Sequence, residues 1–250
     1  MRNLLTFKNS SYYPTRRKQE PTIAGEAFQA LMDLCFDRAD CFSLHRCGWE
    51  KAWDGALEQA LRPFCLGEYL SYARIQRYDG EFREKCYVYR ASRKAKAIFL
   101  QHWTHLFDRE ISRAPAGHDA YLREKYAAYD KAAEAASERV GEFLEHAPRD
   151  LSDAAFHAFL RKAYREAETL RQQVFSERDY YANMEDPCFF DNGVLFLETV
   201  THETLCFADA DDPAFAAALR RLGDWAEERT SRPPVRLEAM DGYRRYNQAL

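Results

Sequence analysis

The sequence predicts an α+β fold: a mainly antiparallel sheet of about five to six strands with flanking helices, plus an inserted antiparallel, coiled-coil-like helical hairpin. Three observations support this. Asn192-Gly193 and Asp79-Gly80 each lie between strand-like runs, and both dipeptides supply the positive φ values of a tight hairpin turn. Stripes of apolar residues at helical spacing flank these hairpins. Between them, apolar positions alternate by four and three from Leu122 to Phe143 and again from Phe156 to Val174, the pattern of a heptad seam.

Taken in order, residues 1–21 read as a flexible leader containing the basic run Arg16-Arg17-Lys18. Thr22 is placed to cap a helix that buries Ala27, Phe28, Leu31, Met32 and Cys35. Residues 41–46 read as a short strand. A second helix, Trp49 to Arg62, is expected to bury Trp49, Trp53, Leu57 and Leu61 and to stop at Pro63. Tyr-rich alternating runs on either side of Asp79-Gly80 suggest two strands. Ser92 then caps a helix with Ile98, Phe99, His102, Trp103, Leu106 and Phe107 on one stripe.

Residues 113–180 have a different character. Leu122, Tyr126, Tyr129, Ala133, Ala136, Val140 and Phe143 define one seam; Phe156, Leu160, Ala163, Ala167, Leu170 and Val174 define a second, capped by Ser152. Two helices joined by so short a connection fold back on each other. At 1.5 Å per residue each arm is roughly 40 Å long. This segment is read as an insertion into an α+β domain made of residues 22–112 and 181–234. After it, Val194 to Val200 reads as a central strand and Thr204 to Asp209 as the next one. Asp212 caps a helix with Pro213 at its first position, facing Phe215, Ala218, Leu219, Leu222 and Ala226 inward. Residues 235–250 read as a tail.

Apolar residues make up 46% of the 250-residue chain, enough for a substantial core. A net charge of -4 speaks against nucleic acid as partner. Seven cysteines, an odd number in a chain of this size, suggest reduced thiols and a cytoplasmic setting. No run of about 18 apolar residues is present, so no membrane span is expected, and the N-terminus lacks the apolar core of a secretion signal.

Chemistry-bearing patterns are sparse. His202-Glu203 is the alternative catalytic pair, but the H-E-x-x-H pattern of metalloproteases is absent, and a structural turn is the expectation. Cys35, Cys41 and Cys47 surround His45 without any C-x-x-C spacing, so no metal and no cofactor are expected. Glu185, Asp186, Asp191, Asp209, Asp211 and Asp212 do not match a calcium loop and read as solvated carboxylates. Arg90, Arg93, Lys94 and Lys96 cluster at the start of the Ser92 helix, where free backbone donors and cations suit an anion.

The run Glu185, Asp186, Cys188, Phe189, Gly193, Thr199, Val200, Thr201, His202, Glu203 resembles the signature of an uncharacterised family of small bacterial proteins. The resemblance covers about half of the chain and omits residues 113–180. It implies a fold and a bacterial origin, and no mechanism.

The functional expectation is a non-catalytic protein-binding module of inhibitor, immunity or regulatory type. Tyr126, Tyr129, Val140, Phe143, Phe156 and Leu160 of the hairpin would engage a protein partner or a second copy of the chain. The alternative is an enzyme or nucleotide/anion binder that combines Arg90, Arg93 and Lys94 with His202 and Glu203.

Overall fold

The computed structural model describes residues 1–8, 22–70, 85–110, 116–148 and 151–246. The chain divides into two compact units: one of Met1–Gly48, Asp54–Ser112 and Ala182–Leu250, the other of Trp49–Trp53 and Arg113–Tyr181.

Among the described residues of the first unit, nine strands form one antiparallel sheet. They are β1 (Arg2–Lys8), β2 (Cys41–Cys47), β3 (Cys65–Tyr69), β4 (Cys86–Arg90), β5 (Asn183–Asp191), β6 (Val194–Val200), β7 (Leu205–Asp209), β8 (Ala226–Thr230) and β9 (Arg244–Arg245). Their spatial order is β8-β1-β7-β6-β5-β2-β4-β3-β9. This corrects the expectation of about five to six strands. The additions lie where alternation was weak: β1 falls in the supposed leader, β8 follows the last helix, and β9 lies in the supposed tail. Each is an edge or near-edge strand held by long-range pairing. β1, for example, sets Leu5 opposite Ala208 and Glu227. The predicted Asp79-Gly80 turn and Arg16-Arg17-Lys18 lie outside the described residues.

One face of the sheet is covered by helices α1 (Gly25–Arg38), α2 (Ala56–Leu61), α3 (Arg93–His102) and α7 (Pro213–Arg220). Phe28, Leu31, Phe99, Phe215 and Leu219 from these helices meet Phe42, Leu44, Phe189 and Leu197 of the strands in the main core. Within it Phe36 packs edge-on to Phe42 at 5.1 Å and to Phe189 at 5.2 Å. Edge-to-face pairs of this kind add about 0.5–1.5 kcal/mol each beyond area burial. Ser92 and Asp212 cap α3 and α7 as their residue types predict. Thr22 does not cap α1, whose N-cap is Ala24.

The predicted helix from Trp49 shrinks to α2. Trp49 and Trp53 are 47% and 59% exposed, and the Trp53 indole donates to the Arg178 carbonyl at 2.9 Å within the second unit. On the opposite face of the sheet, Cys41, Tyr69, Val88, Cys188, Phe190 and Val200 pack with Leu237 from a 3-10 turn.

The hairpin β5–β6 turns at Asn192-Gly193, with φ of 49° and 71°. Positive φ at both positions is the geometry these residues tolerate best.

The second unit contains α4 (His118–His146), α5 (Asp153–Ala163) and α6 (Arg165–Val174). This corrects the coiled-coil hairpin. The second arm is broken at Tyr164, where ψ of 2° interrupts the helix, so no continuous heptad seam runs its length. Of the first-arm seam, only Tyr126 and Ala136 are buried. Tyr164 instead spends its hydroxyl on Ser137 at 2.8 Å, and Phe143 stacks on Phe159 at 4.0 Å between ring centres. At the base, Asp179 accepts from Lys125 at 2.7 Å and from Tyr126 at 2.9 Å.

Candidate metal centre

The strand β5 carries a bulge. Ser43 on β2 pairs with Cys188, and His45, two residues on, pairs with Glu185, three residues back. The extra residue is accommodated at Asp186, whose φ is 52°. Pro187 beside it offers no N–H, which a central strand tolerates at a bulge. Strand alternation would send Glu185 and Asp186 to opposite faces; the bulge gathers both toward His45.

His45 is on the face opposite the main core, since Phe42 and Leu44 point into that core and Ser43, His45 and Cys47 alternate with them. Its Nδ1 lies 3.6 Å from Glu185 Oε1, 3.9 Å from Asp186 Oδ2 and 3.3 Å from Cys47 Sγ. His45 and Asp186 are each 2% exposed and Glu185 9%.

The third contributor arrives from β6. Asp186 Oδ1 accepts the Thr201 N–H at 2.6 Å, and Thr199 Oγ1 donates to the Pro187 carbonyl at 3.2 Å. These bonds fix the 3-10 turn Thr201–Glu203 against the bulge, and Thr204, with φ of 52°, closes it. His202 is thereby carried to the carboxylates. The signature residues Glu185, Asp186, Thr199, Thr201 and His202 therefore meet in one place.

Donor atoms fall into two overlapping sets. His45, Cys47 and Glu185 form one; Glu185, Asp186 and His202 form the other, and within each set they lie within 4.8 Å of one another. Metal–donor bonds of about 2.0–2.3 Å put neighbouring donors about 3.3–3.8 Å apart, which the distances from His45 to Cys47 and to Glu185 match. Burial pushes the Glu185 carboxyl up. Polar contacts from His45 and Cys47 and the nearby imidazoles outweigh it, so its pKa lies below the ordinary carboxylate value. It is thus ready to act as a ligand at neutral pH.

The sequence reading grouped Cys35 and Cys41 with Cys47 and His45. The structure separates them. Cys35 is in the main core and Cys41 in the second cluster. Burial pushes the Cys41 thiol up to about 12, and the Cys35 thiol higher still, so both stay protonated. Cys47 is half-buried at the strand end. Glu185 and Asp186, read as solvated loop carboxylates, are instead buried strand residues. The one local signal for this was Pro187 inside an apolar run, which marks a bulge.

His202 and Glu203 are 48% and 47% exposed, with Nε2 and Oε1 3.8 Å apart. The basic group does not join them. Arg90 pairs in register with Cys41, which pairs with Phe190, at the far end of the strands from His45 and Glu185. Arg93 and Lys94 are exposed on the first turn of α3, and Lys96 is paired with Asp33. In the helical unit Tyr126 is buried, and Tyr129, Val140, Phe143, Phe156 and Leu160 are half-buried.

Searches against protein-family models, curated proteins and solved structures return no match to this chain. Among the described residues no helix is long and apolar enough to cross a membrane.

Proposed function

We propose that the chain is a transition-metal-binding protein whose ion is held by His45, Cys47 and Glu185. The convergence of imidazole, thiol and ionised carboxylate on one buried strand end carries this reading. Mixed nitrogen, sulfur and oxygen donors select Zn²⁺, Co²⁺ or Fe²⁺ over Mg²⁺ or Ca²⁺, which prefer oxygen alone. Buried carboxylates are costly without a positive partner, and an ion here supplies one. The centre is open on the side of His202 and Glu203, as a solvent-exchanging site is and an enclosed structural site is not. None of the seven cysteines is in a disulfide, which fits a reducing, cytoplasmic setting.

Calorimetric titration with Zn²⁺ tests this. Saturable binding is expected, weakened at least 10-fold by His45→Ala and by Glu185→Gln, following the sensitivity of metal sites to ligand loss. Unchanged binding in both variants counts against the assignment.

A second reading concerns the helical unit, where Tyr129, Val140, Phe143, Phe156 and Leu160 stay partly exposed after the helices have packed. Apolar surface of this kind suits a protein partner or a second copy of the chain. Self-association in sedimentation runs, abolished by Phe156→Glu with Leu160→Glu, would favour it; a monomer at every concentration would remove the homo-oligomer.

A further inference from the structure

The five donors do not make one coordination sphere. Any two ligands of a single ion lie within about 4.6 Å of each other, twice a metal–donor bond. Here no set within 4.8 Å takes in all five donors: they resolve into two three-membered sets that share Glu185, and the 3.9 Å approach of Asp186 Oδ2 to His45 Nδ1 lies between them. A carboxylate has two oxygens and can serve one ion with each. Resting on the proposed metal function, we infer that the centre is dinuclear, with Glu185 bridging an inner ion on His45 and Cys47 and an outer ion on Asp186 and His202.

The two halves differ in chemistry. The inner set contains sulfur and nitrogen and sits at the end of β2. The outer set has two carboxylates and one imidazole, a harder set that also accepts Mn²⁺. Asp186 is held for this role. It is 2% exposed, its Oδ1 accepts the Thr201 N–H, and it forms a donor set with Glu185 and His202, although its Oδ2 also lies 3.9 Å from His45 Nδ1. Its φ of 52° is a left-handed conformation that non-glycine residues adopt at a cost and that clusters at functional sites. His202 is half-exposed, so the outer ion keeps positions for solvent.

Paired ions about 3.5–4 Å apart would supply the chemistry of hydrolytic displacement at a phosphoryl or carbonyl centre, by polarising a substrate oxygen and lowering the pKa of bound water. Glu203, whose Oε1 lies 3.8 Å from His202 Nε2 and which is half-exposed, would take up the proton that such a water gives up, and the departing group would leave with the electron pair of the broken ester or amide bond and gain a proton from solvent.

Metal stoichiometry tests the inference. The apo-protein is loaded with Co²⁺, freed of excess by gel filtration and assayed for bound cobalt per chain. Two equivalents are expected for the native chain, one for Cys47→Ser (outer ion retained), one for His202→Ala (inner ion retained), and none for Glu185→Ala. Circular dichroism of each variant checks that it is folded. One equivalent in the native chain, lost in Cys47→Ser and kept in His202→Ala, would overturn the dinuclear centre and leave the inner site standing. No retained cobalt in the native chain would overturn both. Two equivalents unaffected by any variant would place the ions elsewhere and also overturn both.

Discussion

The Asp186 carboxylate holds the backbone N–H of Thr201 at 2.6 Å, in a buried setting. That bond joins a bulged strand to the turn that follows its neighbour, and it sets where His202 stands. A hydrogen bond to a charged group contributes about 1.5–3 kcal/mol. Asp186→Ala is therefore expected to lower stability by about 2–4 kcal/mol, because the replacement also fits φ of 52° poorly. Asp186→Asn keeps the acceptor and tolerates that backbone, so it should lose about half as much. Urea unfolding of the two variants checks the difference; equal losses would show that the bond does not hold the turn.

The pH dependence has a definite sign. Glu185 has a folded pKa below its unfolded value, so its contribution to stability is present above the ordinary carboxylate range and is lost as pH falls through the lowered value. Glu110 goes the other way. Burial raises its pKa, although its Oε1 accepts the Leu57 N–H at 2.6 Å. Its contribution is present in acid and is lost as pH rises through the raised value. Against Glu185→Gln, the native chain should thus gain relative stability as pH rises from about 3 to 6; against Glu110→Gln it should lose it. Denaturant midpoints of the three proteins across that range decide the matter, and parallel curves would refute both assignments.

At the sheet edge, a Cβ on Gly67 would collide with the Arg244 carbonyl oxygen. Gly67→Ala should therefore break the pairing of β3 with β9 while leaving the main core intact. Hydrogen exchange should rise at Tyr246, whose N–H bonds the Leu66 carbonyl at 2.8 Å, and stay unchanged at Leu44 and Phe189. Protection retained at Tyr246 would contradict this.

Within the helical unit, Asp179 has a lowered pKa: burial raises it, and bonds from Lys125, Tyr126 and Tyr121 more than offset that. Asp179→Ala strips three donors of their acceptor and should destabilise the base of α4 by about 2–3 kcal/mol. Faster amide exchange confined to α4 and the residues after α6 is the expected signature. Exchange unaltered in α4 would show that this cluster does not anchor it.

What the sequence disclosed was local. Asn192-Gly193, Ser92 and Asp212 act on neighbours a few residues away, and their residue types alone specify a turn or a cap. The edges were hidden because β1, β8 and β9 take their order from distant partners, as Leu4 does from Asp209 and Glu228. Trp49 and Trp53 carried helical spacing, yet tertiary contacts with Phe175 and Arg178 drew them out of a helix. Heptad spacing overstated the hairpin, since alanines at the seam leave little to bury and Tyr164 breaks the second arm. The candidate site was half visible. Its signature residues stood out from the sequence, but the pairing of His45 with Glu185 comes from strand register, which spacing along the chain does not encode.

Cobalt absorption spectroscopy tests the metal assignment most directly. Titrating Co²⁺ into the apo-protein should produce a sulfur-to-cobalt charge-transfer band in the near ultraviolet. That band should vanish in Cys47→Ser and persist in Cys35→Ala and Cys41→Ala, whose thiols lie in the packed cores. No such band in the native protein, or a band that survives Cys47→Ser, would contradict the account.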